Sequence, residues 1–139
     1  KALEQMKVKI NYITDGDIAG GLSVIGANPK NDIYISTGGG PEGVIVAAAL
    51  SCFGGQIQGR LILNKDEIIK AKKLGITDIK KKYNIDEIVK GDIIFCASGV
   101  TDGDLAKGIK NFEDSFEVTT FALHKSQKTN KIITNIYKK

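Results

Sequence analysis

Apolar positions along this chain change period repeatedly, from short β-prone runs to helical spacing and back. Residues 8–13 (VKINYI) read as a strand, followed by a short helix over 18–25 that runs out near Gly26-Ala27-Asn28-Pro29. Residues 32–36 (DIYIS) predict a second strand, and 41–53 an apolar helix with Gly54-Gly55 as its stop signal. The alternating run 56–63 reads as a strand. Ile68, Ile69, Ala71 and Leu74 take helical spacing, so 65–74 predicts a helix with Gly75 as its cap. The polar stretch 77–83 reads as a further helical turn, and 85–89 is too short to assign. Residues 93–97 (IIFCA) predict a strong strand, followed by a turn and a short helix. The runs 116–124 and 131–137 end the pattern as two strands joined by a hairpin loop over 125–130. Strands alternating with helices place the chain in the α/β class, as a layered sandwich with a mixed β-sheet flanked by helices and a C-terminal β-hairpin. No linker or low-complexity tract interrupts it, so residues 1–139 read as a single domain.

Composition narrows the possible partners. A length of 139 residues is enough to bury a core. No apolar run approaches a membrane span, no signal-peptide pattern is present, and no membrane partner is expected. The chain opens on Lys1 with a polar lead-in, 1–7, and a fragment of a longer protein is the expectation. The net charge of +4 comes almost wholly from lysine, with Arg60 the sole arginine. Those lysines interleave with acids over 65–90, the pattern of solvated faces, and no nucleic-acid partner is expected. Cys52 and Cys96 form no CxxC pair and His124 stands alone, which excludes a Cys/His zinc site and gives no strong signal for a Cys–His nucleophile. Both cysteines read as buried free thiols; a disulfide stays open, although a reducing cytoplasm fits better.

The densest chemistry lies in residues 36–50, STGGGPEGVIVAAAL. Gly38, Gly39 and Gly40 let backbone amides approach a ligand, and Pro41 suits a first helical position. Unpaired amides and the positive end of a helix then converge on one point, a natural phosphate site. Glu42 adds a carboxylate there. Beside a phosphate it would be repulsive unless a cation lay between them, which suggests a metal-bridged phosphate. The alternative is that Glu42 merely complements the helix dipole. A second motif, ITDGDIAGG from Ile13 to Gly21, is echoed by VTDGDLAKG from Val100 to Gly108. Each copy follows a β-prone run and predicts an Asp-Gly turn into a short helix capped by Asp17 or Asp104. Such loops sit at the carboxyl ends of strands, where open α/β sheets bind ligands. If the first copy shares an edge with the glycine loop, then Asp15, Asp17 and Glu42 face one pocket.

Five motifs in register carry a resemblance: DGDIAGG, GGGPEGVIVAAAL, GGQIQGRLIL, GDIIFCASGVTDGDL and TTFALHKSQKTNKI. Together they resemble the carboxyl-terminal half of class II fructose-1,6-bisphosphatase, within the lithium-sensitive, metal-dependent sugar phosphatases. The resemblance implies hydrolysis of the 1-phosphate of fructose 1,6-bisphosphate to fructose 6-phosphate and phosphate, in gluconeogenesis. It also implies Mn²⁺ or Mg²⁺, a phosphorylated sugar as partner, a cytoplasmic setting and a homo-oligomer at full length. By the same resemblance Glu42 is a metal ligand, and Asp15, Gly16, Asp17 and Gly39 lie at the bound sugar phosphate. The catalytic residues and remaining metal ligands are expected in an amino-terminal half of the same protein, so these residues alone are expected to be inactive. Sedoheptulose 1,7-bisphosphate is an alternative substrate, and a non-catalytic phosphosugar-binding module is an alternative role. No ligand role is expected for Asp102 or Asp104, whose loop reads as a turn and cap, and Arg60 reads as a surface residue at a strand end.

Overall fold

The computed structural model describes residues 2–14, 16–26 and 28–139. Its elements begin with α1 (Ala2–Gln5), α2 (Asp17–Leu22) and α3 (Gly40–Phe53). The near-continuous apolar sequence of α3 makes it the hub, with its second half covered by the core while Val44 and Ile45 stay exposed. Val46, Ala47, Ala49 and Leu50 are buried, and the helix packs against α2 and against the elements that follow it. Gly54 ends it at φ +70°, a left-handed cap that L side chains rarely adopt.

Next come β1 (Gln58–Arg60), α4 (Lys65–Lys73), β2 (Lys82–Asn84) and α5 (Ile85–Ile88). β1 and β2 pair antiparallel as a two-stranded sheet. A reciprocal capping box opens α4: Glu67 N–H donates to Asn64 Oδ1 at 3.0 Å, and Asn64 N–H donates to Glu67 Oε2 at 2.8 Å. Gly75, at φ +85°, follows its last turn. Ile85 of α5 is buried and joins the core beneath α3.

The main sheet comprises β3 (Ile94–Ser98), β4 (Lys110–Asn111), β5 (Ser115–His124) and β6 (Thr129–Lys138). β5 lies centrally, with β3 and β4 along one side and β6 along the other. Directly opposed residues share a face, so Phe95 with Leu123 and Ala97 with Phe121 turn together toward α3. Phe121 stacks on Phe53 and meets Phe95 edge-on, with ring centres 6.4 and 6.3 Å apart. Leu22, Val46, Leu50, Phe95 and Leu123 thus form one core between the helices and the sheet.

The layered α/β arrangement and the closing hairpin stand as the sequence predicts, but several elements differ. Runs 8–13 and 32–36 form no ladder, and every pairing among the described residues is antiparallel. β-propensity alone makes no strand without a partner edge, and Ile33 and Ile35 are left 76% and 71% exposed. The strand expected over 56–63 contracts to the three residues of β1. Residues 77–83 add no helical turn and instead lead into β2. No helix follows the second Asp-Gly-Asp. Cys52 and Cys96 are both free, and Cys96 is exposed rather than buried, because it alternates away from the core face of β3.

Candidate functional site

The glycine loop takes the form that its sequence demands. Gly39 caps α3 with extended backbone and no side-chain acceptor. The N–H groups of Gly40 and Glu42 therefore lack intrahelical partners, and Pro41 has none to satisfy. Glu42 is exposed but folds back over the loop: a Cβ at Gly39 would collide with its Oε2 and lie 3.2 Å from its Cδ. A Cβ at Gly38 would stand 2.7 Å from Asp17 Oδ2. Two carboxylates, one from each motif, thus press on consecutive glycines where side chains would exclude them.

Asp17 reaches this position from the first residue of α2. Gly16 precedes it at φ +84°, the left-handed turn that lets the chain enter the helix sharply. Two further glycines let α2 nestle into its surroundings. A Cβ on Gly20 would come within 2.7 Å of Ile13 Cδ1 and of Tyr34 Cε2, and one on Gly21 within 2.6 Å of Val46 Cγ1. The Tyr34 hydroxyl lies 3.1 Å from Asp17 Oδ1 and donates to it. Although they form no ladder, the runs 8–13 and 32–36 therefore set the position of α2.

Of the residues expected at the sugar phosphate, Asp17 and Gly39 meet at the glycine loop with the expected metal ligand Glu42; Gly16 contributes the turn that precedes Asp17, and Asp15 lies outside the described residues. The second copy does something else. Asp102 accepts the Gly108 N–H at 3.0 Å, closing a loop, and Asp104 pairs with Lys30 at 2.6 Å. Asp102 is thus a turn residue as expected, whereas Asp104 caps no helix. A cleft of about 170 Å³ separates Ala19 of α2 from this loop. Arg60 ends β1 opposite Lys82 and, among the described residues, its side chain makes no hydrogen bond or ion pair. Tyr34 is the participant that the sequence reading missed. Its signal was a hydroxyl-bearing aromatic in a run whose neighbours, Ile33 and Ile35, are purely apolar.

A separate polar cluster gathers around Asp92. Its Oδ2 accepts from Ser126 Oγ at 2.7 Å and lies 2.8 Å from His124 Nε2; its Oδ1 takes the Ser126 N–H at 3.0 Å. The Ser126 hydroxyl, reinforced by His124, holds the Asp92 carboxyl well below the usual carboxylate range, and Asp92 in turn raises the His124 pKa. His124 Nε2 also lies 3.3 Å from Ser126 Oγ, so one ring nitrogen meets both serine and aspartate, unlike a triad histidine that joins them through its two nitrogens. The cluster clamps the hairpin loop to the entry of β3.

Among the described residues no three His, Cys, Asp or Glu side chains form a group able to hold a metal. Glu42 does offer hard carboxylate oxygens, the donor type that Mg²⁺ and Mn²⁺ prefer, and would suit one position in the coordination sphere of such an ion. No helix among the described residues is long and apolar enough to cross a membrane.

The Asp17 and Glu42 carboxylates thus meet the glycine-rich start of α3 within an α/β layer. The family model for bacterial fructose-1,6-bisphosphatase, glpX-encoded, matches residues 1–137. The chain belongs to this family of hydrolases. It is 31% identical to the D-fructose 1,6-bisphosphatase class 2/sedoheptulose 1,7-bisphosphatase of Synechococcus sp. (strain JA-2-3B'a(2-13)), over 100% of this chain and 44% of that protein. It is also 31% identical to the fructose-1,6-bisphosphatase 2 class 2 of Escherichia coli (strain K12), over 96% of this chain and 46% of the relative. A 28% match to the class 2 enzyme of Trichodesmium erythraeum (strain IMS101) covers 97% and 43%. The chain thus spans less than half the length of the relatives it matches.

Proposed function

We propose that this chain forms the sugar-phosphate-binding part of a metal-dependent phosphatase that hydrolyses the 1-phosphate of fructose 1,6-bisphosphate, yielding fructose 6-phosphate and phosphate for gluconeogenesis in the cytoplasm. The observation that carries the reading is the convergence of Asp17 and Glu42 on Gly38 and Gly39. In this reading the N–H groups at the start of α3 receive phosphate oxygens, and Gly39 gives them room. Asp17, and Asp15 beside it in sequence, accept hydrogen bonds from sugar hydroxyls. Glu42 supplies one ligand to Mn²⁺ or Mg²⁺. Such an ion offsets phosphate charge and lowers the pKa of a nucleophilic water. The names of the cyanobacterial relatives favour sedoheptulose 1,7-bisphosphate as a second substrate, since both sugars carry a phosphate on a primary ketose carbon.

The test is Glu42→Gln in the protein at its full natural length. Phosphate release should fall by about a hundredfold or more at fixed Mn²⁺, at least matching the loss typical of a disrupted ligand-supporting residue. Circular dichroism should stay unchanged, because Glu42 is exposed and supports no core contact. Wild-type Mn²⁺ activation in that variant would remove Glu42 from the metal site.

A further inference from the structure

We infer that Tyr34 is a positioning residue for the sugar-phosphate site, fixing the Asp17 carboxylate so that one oxygen stays aimed at the glycine loop. The inference rests on the proposed function and extends it to a residue that touches no ligand there. The torsion that swings an aspartate carboxylate has a broad, two-fold profile, so the side chain alone does not choose a plane for its oxygens. A second contact must choose it. Here the Tyr34 hydroxyl donates to Oδ1 at 3.1 Å, while Oδ2 lies against Gly38. The two oxygens are therefore divided: one is held by the tyrosine, and the other faces the loop.

Tyr34 can serve this way because its own ring is fixed. The aromatic edge sits against Gly20, where a Cβ would come within 2.7 Å of Cε2 and 2.8 Å of Cζ. Gly20 is itself buried and belongs to α2, the helix that Asp17 begins. The ring thus registers against the same element whose first side chain its hydroxyl orients. Tyr34 is partly buried, whereas Ile33 and Ile35 on either side are exposed. In a run that joins no sheet, the one inward side chain is the aromatic one, and its hydroxyl is the one that reaches Asp17. A hydrogen bond to a charged acceptor, held by a packed ring, is the usual means of pre-organising a binding carboxylate.

Tyr34→Phe removes the hydroxyl and keeps the ring on Gly20. In the protein at its full natural length, with Mn²⁺ and fructose 1,6-bisphosphate, it should raise KM about threefold to tenfold and leave kcat within about twofold. Asp17→Asn should raise KM further, and adding Tyr34→Phe to that variant should change KM by less than about 1.5-fold, as expected of a residue that acts only through Asp17. KM does not depend on the fraction of active molecules, so the readout survives a partial loss of folding. An Asp17→Asn effect without any Tyr34→Phe effect overturns the positioning role and leaves the site intact. Equal Tyr34→Phe effects in both backgrounds also overturn it. No KM effect from Asp17→Asn defeats the reading of the site itself, and the inference with it.

Discussion

The two Asp-Gly-Asp loops share a sequence and part company in structure. After the first, the chain turns through Gly16 at φ +84° and forms α2; after the second, Gly103 lies outside the left-handed region and no helix follows. Local sequence offers both the same start. What differs is the covering. A six-residue helix is too short to stand by its propensity, and α2 survives because Gly20 and Gly21 let Tyr34, Ile13 and Val46 close over it. The second loop closes upon itself instead: Gly103 N–H bonds Ala106 O at 3.1 Å, Gly108 N–H bonds Asp102, and Ile109 N–H bonds Val100 O at 3.2 Å. At Gly108 a Cβ would strike the Thr101 backbone within 2.7 Å, so this copy spends its glycine on chain crossing. A motif at equal spacing thus opens a helix beside the glycine loop in one setting and closes upon itself in the other, according to what packs beside it.

That contrast is sharpest in function at the last aspartate of each motif. Asp17→Asn should raise KM for fructose 1,6-bisphosphate by about tenfold to a hundredfold, the range for a charge-assisted hydrogen bond. Asp104→Asn loses only an exposed pair with Lys30, its side chain 63% accessible, and should stay within about threefold. Steady-state phosphate release on the two variants decides the matter; equal effects would erase the distinction. In stability the glycines carry the difference. Gly21→Ala puts a methyl 2.6 Å from Val46 and should cost about 1–3 kcal/mol, read as a fall of roughly 5–10 °C in Tm. Gly103→Ala meets nothing closer than 3.9 Å and should shift Tm by less than about 2 °C in calorimetry.

The smallest effect concerns the clamp at the entry of β3, the strand that leads into the second loop. The His124 pKa is raised in the folded state, so its contribution is complete below the unfolded value of about 6.5 and fades as pH rises through the raised value. The Asp92 pKa is lowered, so its contribution is complete above the unfolded value of about 3.9 and is lost as pH falls. The clamp should therefore be tightest between about pH 4 and 6.5. NMR titration should show His124 ionising above its ordinary pKa, and Asp92→Asn should return it toward that value.

Much of this was legible in the chain. The apolar helix with its Gly-Pro start and Gly stop, the α4 spacing and the closing strands appear where their patterns place them, because each signal is local and strong. The meeting of Asp17 and Glu42 at the glycine loop was foreshadowed by residue type and spacing in the two motifs. Runs 8–13 and 32–36 were misread as strands because a ladder depends on a partner edge that a one-dimensional pattern does not reveal. The second helix was misread for the same reason: nothing in DGDLAKG says that Gly108 is needed to pass beneath Thr101. Tyr34 escaped notice because its role lies in a contact with a residue seventeen positions earlier.

Diffraction from crystals of the full-length protein grown with Mn²⁺ and fructose 1,6-bisphosphate, recorded at the manganese edge, addresses the central claim most directly. The account predicts an anomalous peak bound by the Glu42 carboxylate, with a phosphate oxygen at the Gly39 main chain and a sugar hydroxyl at Asp17. Manganese bound without Glu42, or a ligand seated away from Gly38 and Gly39, would contradict it.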